Sequence, residues 1–454
     1  MAKHQEAFMQ RFRMDDDGSI QKSSADLESL TSSYRHIVNR NERNEREIRR
    51  LRNSVSFQLG LHLTKAVRQP WRLLLLPISF PIFALQLGLR RIGRSPMHEQ
   101  LSASRTSSEE RNHSIVLFPT NGVGFGHFTR MYAVARALRK KDPSLEIVFF
   151  TPMPTLHILY NEQFPTYHIA GRYKHADMTA SQWNGLVEDM LHLIFEAHRP
   201  KWFMFDGAFP YRGMLNAIAA QPGLEKWWMR RGSVKANKSI PVDSQEFFDG
   251  IIIPGEAENI EFDENEHSVS PIQAIGVDEA WERQSARSRL AVPDDAKVVY
   301  VQLGAGRIND IQSDLQIVLN GLFEHQNVYV VLGESMLGER LSFTHERLRI
   351  IRDYPNALYA MAFDASVQAG GYNSYQEMRM FGIPTLFIPN TQTGMDDQVA
   401  RCRQAETEGW GILSDAKDSD LKDKINQIIS MKRQPIPIEN GVESVINLLR
   451  ITHS

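Results

Sequence analysis

Two clusters of residues in this chain have the types and spacing to do chemistry. The first is Asn121-Gly-Val-Gly-Phe-Gly-His-Phe-Thr-Arg130, in which Gly122, Gly124 and Gly126 lead into His127. Alternate glycines let a backbone come close to a phosphate and aim N–H groups at it from the start of a helix. A neutral imidazole beside them can take a proton from an attacking hydroxyl. A histidine that caps its own helix accounts for His127 equally well. The second cluster is Ala369-Gly-Gly-Tyr-Asn-Ser-Tyr-Gln-Glu377, followed by Gly382-Ile-Pro384 and Asp396-Asp397-Gln398. Ser374 and Glu377 have the S-x-x-E spacing of a capping box, which would explain both as structural residues. The other reading has the free amides of that helix holding a diphosphate, with Glu377 on a ribose diol. Asp397 and Gln398 carry groups that hydrogen-bond sugar hydroxyls, against the plainer reading of a solvated helix start. Asp206, in Phe205-Asp-Gly-Ala-Phe-Pro210, falls at a strand end, where it orients His127, meets an acceptor or closes a turn.

Positioning such residues calls for parallel α/β units. From 113 onward, short apolar runs alternate with amphipathic stretches, the pattern of strands buried on both faces by helices. Strands are expected at Ile115–Phe118, Glu146–Phe150, Trp202–Phe205, Trp227–Arg230 and Gly250–Ile253, with a helix over Phe128–Arg139. A second series is expected at Lys297–Val301, Val328–Leu332, Leu348–Ile351, Ser366–Ala369 and Thr385–Ile388. Each series opens strand, glycine loop, helix. This gives two Rossmann-like domains, 113–276 and 277–454, facing each other across a cleft at the carboxyl ends of their strands. The first loop reads G-x-G-x-G rather than G-x-G-x-x-G, and Thr151-Pro152 follows the second strand where an acidic ribose ligand would stand. NAD is therefore disfavoured.

The N-terminal part has a different character. Residues 1–112 carry 19 basic and 12 acidic residues, whereas 113–454 carry 33 and 42, so the net charge of −2 hides a cancellation. The near-neutral total argues against a nucleic-acid binder. Cys402, the single cysteine, excludes an intramolecular disulfide and a cysteine-cluster zinc site. After a disordered tail (1–24), Leu27, Leu30, Tyr34, Ile37, Asn41, Asn44, Ile48, Leu51 and Val55 alternate steps of three and four. That is a coiled-coil seam over 25–56, with a polar pair that sets register, and a homodimer through 27–55 is expected. Residues 57–94 contain the apolar run Leu73–Leu89, interrupted by Pro77 and Pro81 and flanked by basic residues on both sides. Too short and broken to span with ease, it fits a segment lying on an anionic membrane surface. Residues 95–112 are serine-rich and read as a linker.

The second cluster, Gly-Gly-x-x-Ser-x-x-Glu-x-x-x-x-Gly-x-Pro over 370–384 with Pro389 and Asp397-Gln398, resembles the donor-site signature of GT-B glycosyltransferases. Together with Gly122-x-Gly-x-Gly-His127-x-x-Arg130 it is similar to family 28, which includes the MurG-type N-acetylglucosaminyltransferases and the monogalactosyldiacylglycerol synthases. The resemblance covers roughly 113–432. It implies inverting, metal-independent transfer of a sugar from a nucleoside diphosphate donor, commonly UDP, to an acceptor hydroxyl. By matching position, Gly370, Gly371, Asn373 and Ser374 would line the diphosphate, Glu377 the ribose, and Asp397 and Gln398 the sugar. Gly304 and Arg307, in Gln302-Leu-Gly-Ala-Gly-Arg307, would form a second phosphate loop, with Arg307 neutralising the leaving group. His127, helped by Asp206, would be the base, and Gly122, Gly124, Gly126 and Arg130 would form the acceptor-side loop. Tyr372-Asn373 and the short loop at 304–306 depart from the family pattern.

On this reading the chain is an enzyme without a bound cofactor or metal, since no D-x-D stands at a plausible donor turn. It acts at the inner face of the cell membrane on a lipid-linked or cell-surface glycan. The alternatives are a nucleotide-sugar 2-epimerase of the same architecture and a non-catalytic coiled-coil scaffold.

Overall fold

The computed structural model describes residues 80–81 and 111–451, apart from 121–123, 173–177, 231–241, 256–262, 305–310, 339, 392–395, 435 and 437. The chain divides into two compact units, 1–105 and 106–454. In the first, Phe80 and Pro81 are helical and exposed. The expected coil at 25–56, most of the apolar segment and the linker to residue 110 lie outside the described residues, as do Gly122 and Arg307. No helix among the described residues is long and apolar enough to cross a membrane.

The second unit contains two parallel sheets. Its strands are β1 Asn112–Pro119, β2 Glu146–Thr151, β3 Thr166–His168, β4 Pro200–Asp206, β5 Glu225–Met229, β6 Gly250–Pro254 and β7 Glu266–Val269, then β8 Lys297–Gln302, β9 Val328–Gly333, β10 Leu348–Ile351, β11 Ala365–Gln368, β12 Thr385–Phe387 and β13 Gly411–Leu413. The helices are α1 Gly126–Lys141, α2 His157–Asn161, α3 Ala180–His198, α4 Arg212–Ala219, α5 Arg283–Arg289, α6 Ile311–Phe323, α7 Tyr372–Met380, α8 Gln398–Thr407, α9 Leu421–Ser430 and α10 Val442–Leu448. The first sheet runs β3-β2-β1-β4-β5-β6-β7 and the second β10-β9-β8-β11-β12-β13. In both, the strand order reverses beside the opening strand, between β1 and β4 and between β8 and β11. Those are the places where doubly wound sheets open a crevice.

The continuous apolar runs explain the strands, since Ile115–Phe118 and Val298–Val301 are nearly wholly buried and need cover on both faces. Helix α1 presents Phe128, Met131, Ala135 and Leu138 to the core and ends on Arg139, Lys140 and Lys141, charges that suit a helix C-terminus. Three strands were not expected from the sequence. β3, β7 and β13 are three or four residues long and lie at sheet edges; Thr166, His168, Glu266 and Ser268 break any apolar run in β3 and β7, and Gly411-Ile-Leu413 is too short to show one. One apolar cluster covers a face of each sheet and continues between them, with Phe128 and Met131 of α1 and Tyr375 and Met378 of α7 among its members. The last helix, α10, returns to the first sheet and packs along α1. There Lys141 Nζ donates to Asn447 Oδ1 at 3.1 Å, and a side chain at Gly441 would sit 1.9 Å from the Ser270 carbonyl oxygen.

Candidate active site

The first half of the site is built where β1 and β4 part. The N–H of Thr120, just past β1, donates to the Asp206 carbonyl at 2.9 Å, fixing the two strand ends together. Asp206 closes β4 and is fully buried, with three bonds to its carboxylate. His127 Nδ1 lies 2.6 Å from Oδ1, Arg130 Nη2 donates to Oδ1 at 2.6 Å, and Arg130 Nε donates to Oδ2 at 2.9 Å. The residues expected as base, partner and loop arginine are thus one cluster. Burial opposes ionisation of Asp206, but the Arg130 guanidinium and His127 outweigh it and hold the carboxyl below the usual carboxylate range.

That charge state fixes the tautomer of His127. Arg130 Nη2, a donor only, lies 3.1 Å from His127 Nδ1. If Nδ1 bore a lone pair, it would face an ionised carboxylate oxygen at 2.6 Å. Nδ1 therefore carries the proton, both groups donate to Oδ1, and the lone pair of the neutral ring sits on Nε2. The self-capping reading of His127 is not what forms. The N-cap of α1 is Phe125, with no side-chain cap, and His127 is the second helical residue with its ring turned to Asp206.

The second half lies beyond β11. Gly370 has φ +76°, and a Cβ there would stand 2.4 Å from Cys402 Sγ, so both backbone and packing demand glycine. The buried Cys402 thiol is pushed up to about 12 by desolvation and acts as a packing residue. This turn places the N-cap of α7 at Gly371. The capping box expected of Ser374 and Glu377 therefore does not form, because Ser374 is already the third helical residue and makes no cap. The first backward bond of α7 is Tyr375 N–H to Gly371 O at 2.9 Å, which leaves the amides of Asn373 and Ser374 without a helical acceptor. Among the described residues, no atom beyond the adjoining chain stands within 4 Å of a Cβ placed at Gly124, Gly126 or Gly371, so their packing does not impose glycine there. Gly304, just past β8, has φ +100°.

The Glu377 side chain makes no hydrogen bond or ion pair among the described residues. Its carboxyl is half-buried beside the Tyr300 and Tyr354 phenols, and desolvation pushes it up to about 7. Asp397 and Gln398 are more occupied. Asp397 caps α8, Oδ1 accepting from Ala400 N–H at 3.0 Å, which is the plainer of the two readings of that residue. Gln398 accepts from Asn390 N–H at 3.0 Å and donates to Asp396 at 3.3 Å.

Sequence reasoning missed Arg401. It is buried, donates to the Gly370 carbonyl at 2.9 Å and to Asp396 at 2.8 Å, and so fastens the glycine turn. Its partner Gly370 is 31 positions away, and no local spacing signals the pair. Contacts between the halves run through α7 and through Tyr354, which follows β10. Tyr372 Oη donates to the Pro254 carbonyl at the end of β6 at 3.0 Å, and Tyr354 Oη donates to Thr129 Oγ1 of α1 at 3.0 Å. Phe125, in the first glycine loop, stacks on Tyr354 at 5.2 Å between ring centroids.

Two parallel Rossmann-like sheets, each with its polar cluster at a switch point, define the GT-B class of fold. No protein-family model matches the chain. It is similar to the UDP-N-acetylglucosamine--N-acetylmuramyl-(pentapeptide) pyrophosphoryl-undecaprenol N-acetylglucosamine transferase of Salinibacter ruber, 29% identical over 143 residues. That match covers 30% of this chain and 38% of the relative. Among solved structures, the spinosyn forosaminyltransferase SpnP aligns with TM-score 0.52 at 15% identity, over 70% of this chain and 91% of its own. The UDP-GlcNAc 2-epimerase of Methanocaldococcus jannaschii aligns with TM-score 0.51 at 13% identity, over 74% and 99%. The fold is thus shared with both transferases and an epimerase.

Proposed function

We propose that this protein is a glycosyltransferase that moves a sugar from a nucleoside diphosphate donor, UDP in the first instance, to a hydroxyl of a lipid-linked or cell-surface glycan. The observation that carries the reading is the pairing of a His127 ring, oriented by a buried Asp206, with the open N-terminus of α7 across the domain contact. In this mechanism Nε2 of His127 removes the proton of the acceptor hydroxyl as it attacks the anomeric carbon from the face opposite the diphosphate, inverting its configuration. Asp206 stabilises the imidazolium that results, while remaining ionised itself. The Asn373 and Ser374 amides, with Arg307, stabilise the charge that develops on the leaving diphosphate. Glu377 accepts hydrogen bonds from the ribose hydroxyls, and Asp397 and Gln398 face the sugar. Similarity to a transferase named for a pyrophosphoryl-undecaprenol acceptor supports the lipid-linked class.

Transfer proceeds without a divalent metal. The helix amides take its electrostatic part. The basic apolar segment at 57–94 docks the enzyme on anionic lipid at the inner face of the membrane, and the coil at 27–55 pairs two copies.

A screen of UDP-, GDP- and dTDP-sugars, scored for transfer, hydrolysis and isomerised product, tests the reading. Transfer that persists in excess EDTA is expected. Loss of transfer restored by manganese refutes metal independence, and isomerised sugar with UDP retained favours the epimerase reading that the shared fold allows. No thermal shift with any nucleotide leaves the scaffold. Deleting residues 1–95 should abolish co-sedimentation with anionic vesicles.

A further inference from the structure

Tyr372 opens α7 and is 6% exposed. Two guanidinium groups lie over its ring, Arg130 at 5.4 Å and Arg401 at 5.7 Å from ring centroid to guanidinium carbon. Both lie inside the range of a cation–π contact, and both cations are buried, where such contacts are stronger. One of these cations holds Asp206, and the other holds the Gly370 carbonyl. The phenol is fixed independently by its bond to the Pro254 carbonyl. The receiving chain is shaped for it, since Gly255 has φ +63° and a Cβ there would stand 2.7 Å from Tyr372 Oη. One turn further along α7, Gln376 donates to the Gly255 carbonyl at 3.4 Å.

We propose that Tyr372 is a positioning residue that links the Gly370–Gly371 turn to the Asp206–Arg130–His127 cluster by holding the Arg130 guanidinium against its ring. The inference rests on the reading of His127 as the base. Among the groups facing His127 are the Asp206 carboxylate from β4 and the Arg130 guanidinium from α1, and Tyr372 reaches it through Arg130. Repulsion from a dry, fixed Arg130 disfavours a proton on Nε2. Without the ring, Arg130 gains freedom and water, its repulsion is screened, and the imidazole becomes more basic. The same loosening misplaces the ring for attack, so turnover falls while nucleotide binding, which uses the backbone amides, changes little.

The test compares full-length wild type, Tyr372→Phe and Tyr372→Leu. The first substitution keeps the ring and drops the Pro254 bond; the second removes both. The His127 ring is titrated by NMR of 15N-histidine-labelled protein, with His127→Ala to assign the signal. Tyr372→Leu should raise its midpoint by about 0.5–1 pH unit, and Tyr372→Phe should leave it near wild type. In the transfer assay Tyr372→Leu should lower kcat about tenfold with the donor KM within about twofold, and Tyr372→Phe should restore most of kcat. Coincident titrations for Leu and wild type, or equal shifts for Phe and Leu, overturn the link. Tyr372→Met, which fills the space without a π face, replaces Leu if that variant does not fold. A wild type that transfers no sugar overturns the functional reading alone, because the titration still judges the role of Tyr372.

Discussion

Replacing Asp206 by Asn preserves the side-chain shape but removes the one negative charge that two neighbours share. Wild-type Asp206 accepts two bonds from Arg130 and one from His127, and none of the three residues is more than 7% exposed. In Asp206→Asn the buried Arg130 loses the carboxylate charge that accepts two of its bonds, which costs about 3–5 kcal/mol. The amide also has one acceptor where the carboxylate had two, so Nδ1–H of His127 competes with Arg130 for it. With the tautomer no longer fixed, proton transfer through Nε2 should fall by about 10³–10⁴ in kcat. Urea unfolding at pH 7 reads the first effect and donor turnover the second. Because the folded carboxyl is held below its unfolded value, its stabilisation is complete above about pH 4 and is lost as pH falls through the lowered folded value. The wild type should therefore lose stability on acidification below about pH 4, and Asp206→Asn should lack that part of the slope. Removing the stranded cation as well, in Asp206→Asn/Arg130→Met, should recover at least about 2 kcal/mol. An Asp206→Asn protein as stable as wild type, or a double variant no better than the single one, would refute the buried-pair argument.

Three further outcomes are expected. His127→Ala should abolish transfer yet keep the thermal shift with nucleotide, since the α7 amides are untouched; transfer near the wild-type rate would remove His127 as the base. Glu377 has a folded value raised to about 7, so its contribution is fully present below about pH 4.5 and lost as pH rises towards 7. Glu377→Gln should erase about 1–3 kcal/mol of that slope and also flatten a rise in nucleotide affinity through pH 7, both measurable by melting and calorimetry. Gly370→Ala should lose about 2 kcal/mol or more from the +76° φ and the Cys402 contact, and adding Cys402→Ala should recover only the steric part of the urea midpoint.

The strands that set the fold were readable because their residues leave few options. Ile115–Phe118 and Val298–Val301 are apolar on every side and must be covered on both faces, as parallel strands are. The edge strands at Thr166–His168 and Glu266–Val269 were not, because only Val269 of their residues is buried and they are too short to show a period. The site divides in the same way. Glycines before a helix marked Gly124–His127 and Gly370–Gly371, whereas the cap of α7 was misplaced. A Ser-x-x-Glu spacing does not reveal that Gly370, turning at positive φ, sets the N-cap at Gly371, three residues before Ser374. A genuine capping box stands at Thr179 and Gln182, where the chain enters α3 in an extended conformation. Arg401 and Tyr372 act across 31 and 118 residues of sequence, to Gly370 and Pro254, distances over which pattern carries no information.

The return of α10 to α1 bears on how the protein is made. Val442, Val445 and Ile446 belong to the apolar cluster that contains Phe128 and Met131, so the helix carrying His127 is fully covered only when the last helix arrives. About 300 residues separate α1 from α10, which at about 5–20 residues per second is an interval of roughly 15–60 s of synthesis. Through that interval the first domain on the ribosome has a lasting apolar gap along α1, a surface on which a chaperone can act. Truncation within 442–451 should therefore injure the amino-terminal half of the catalytic unit, the half most distant from it along the chain.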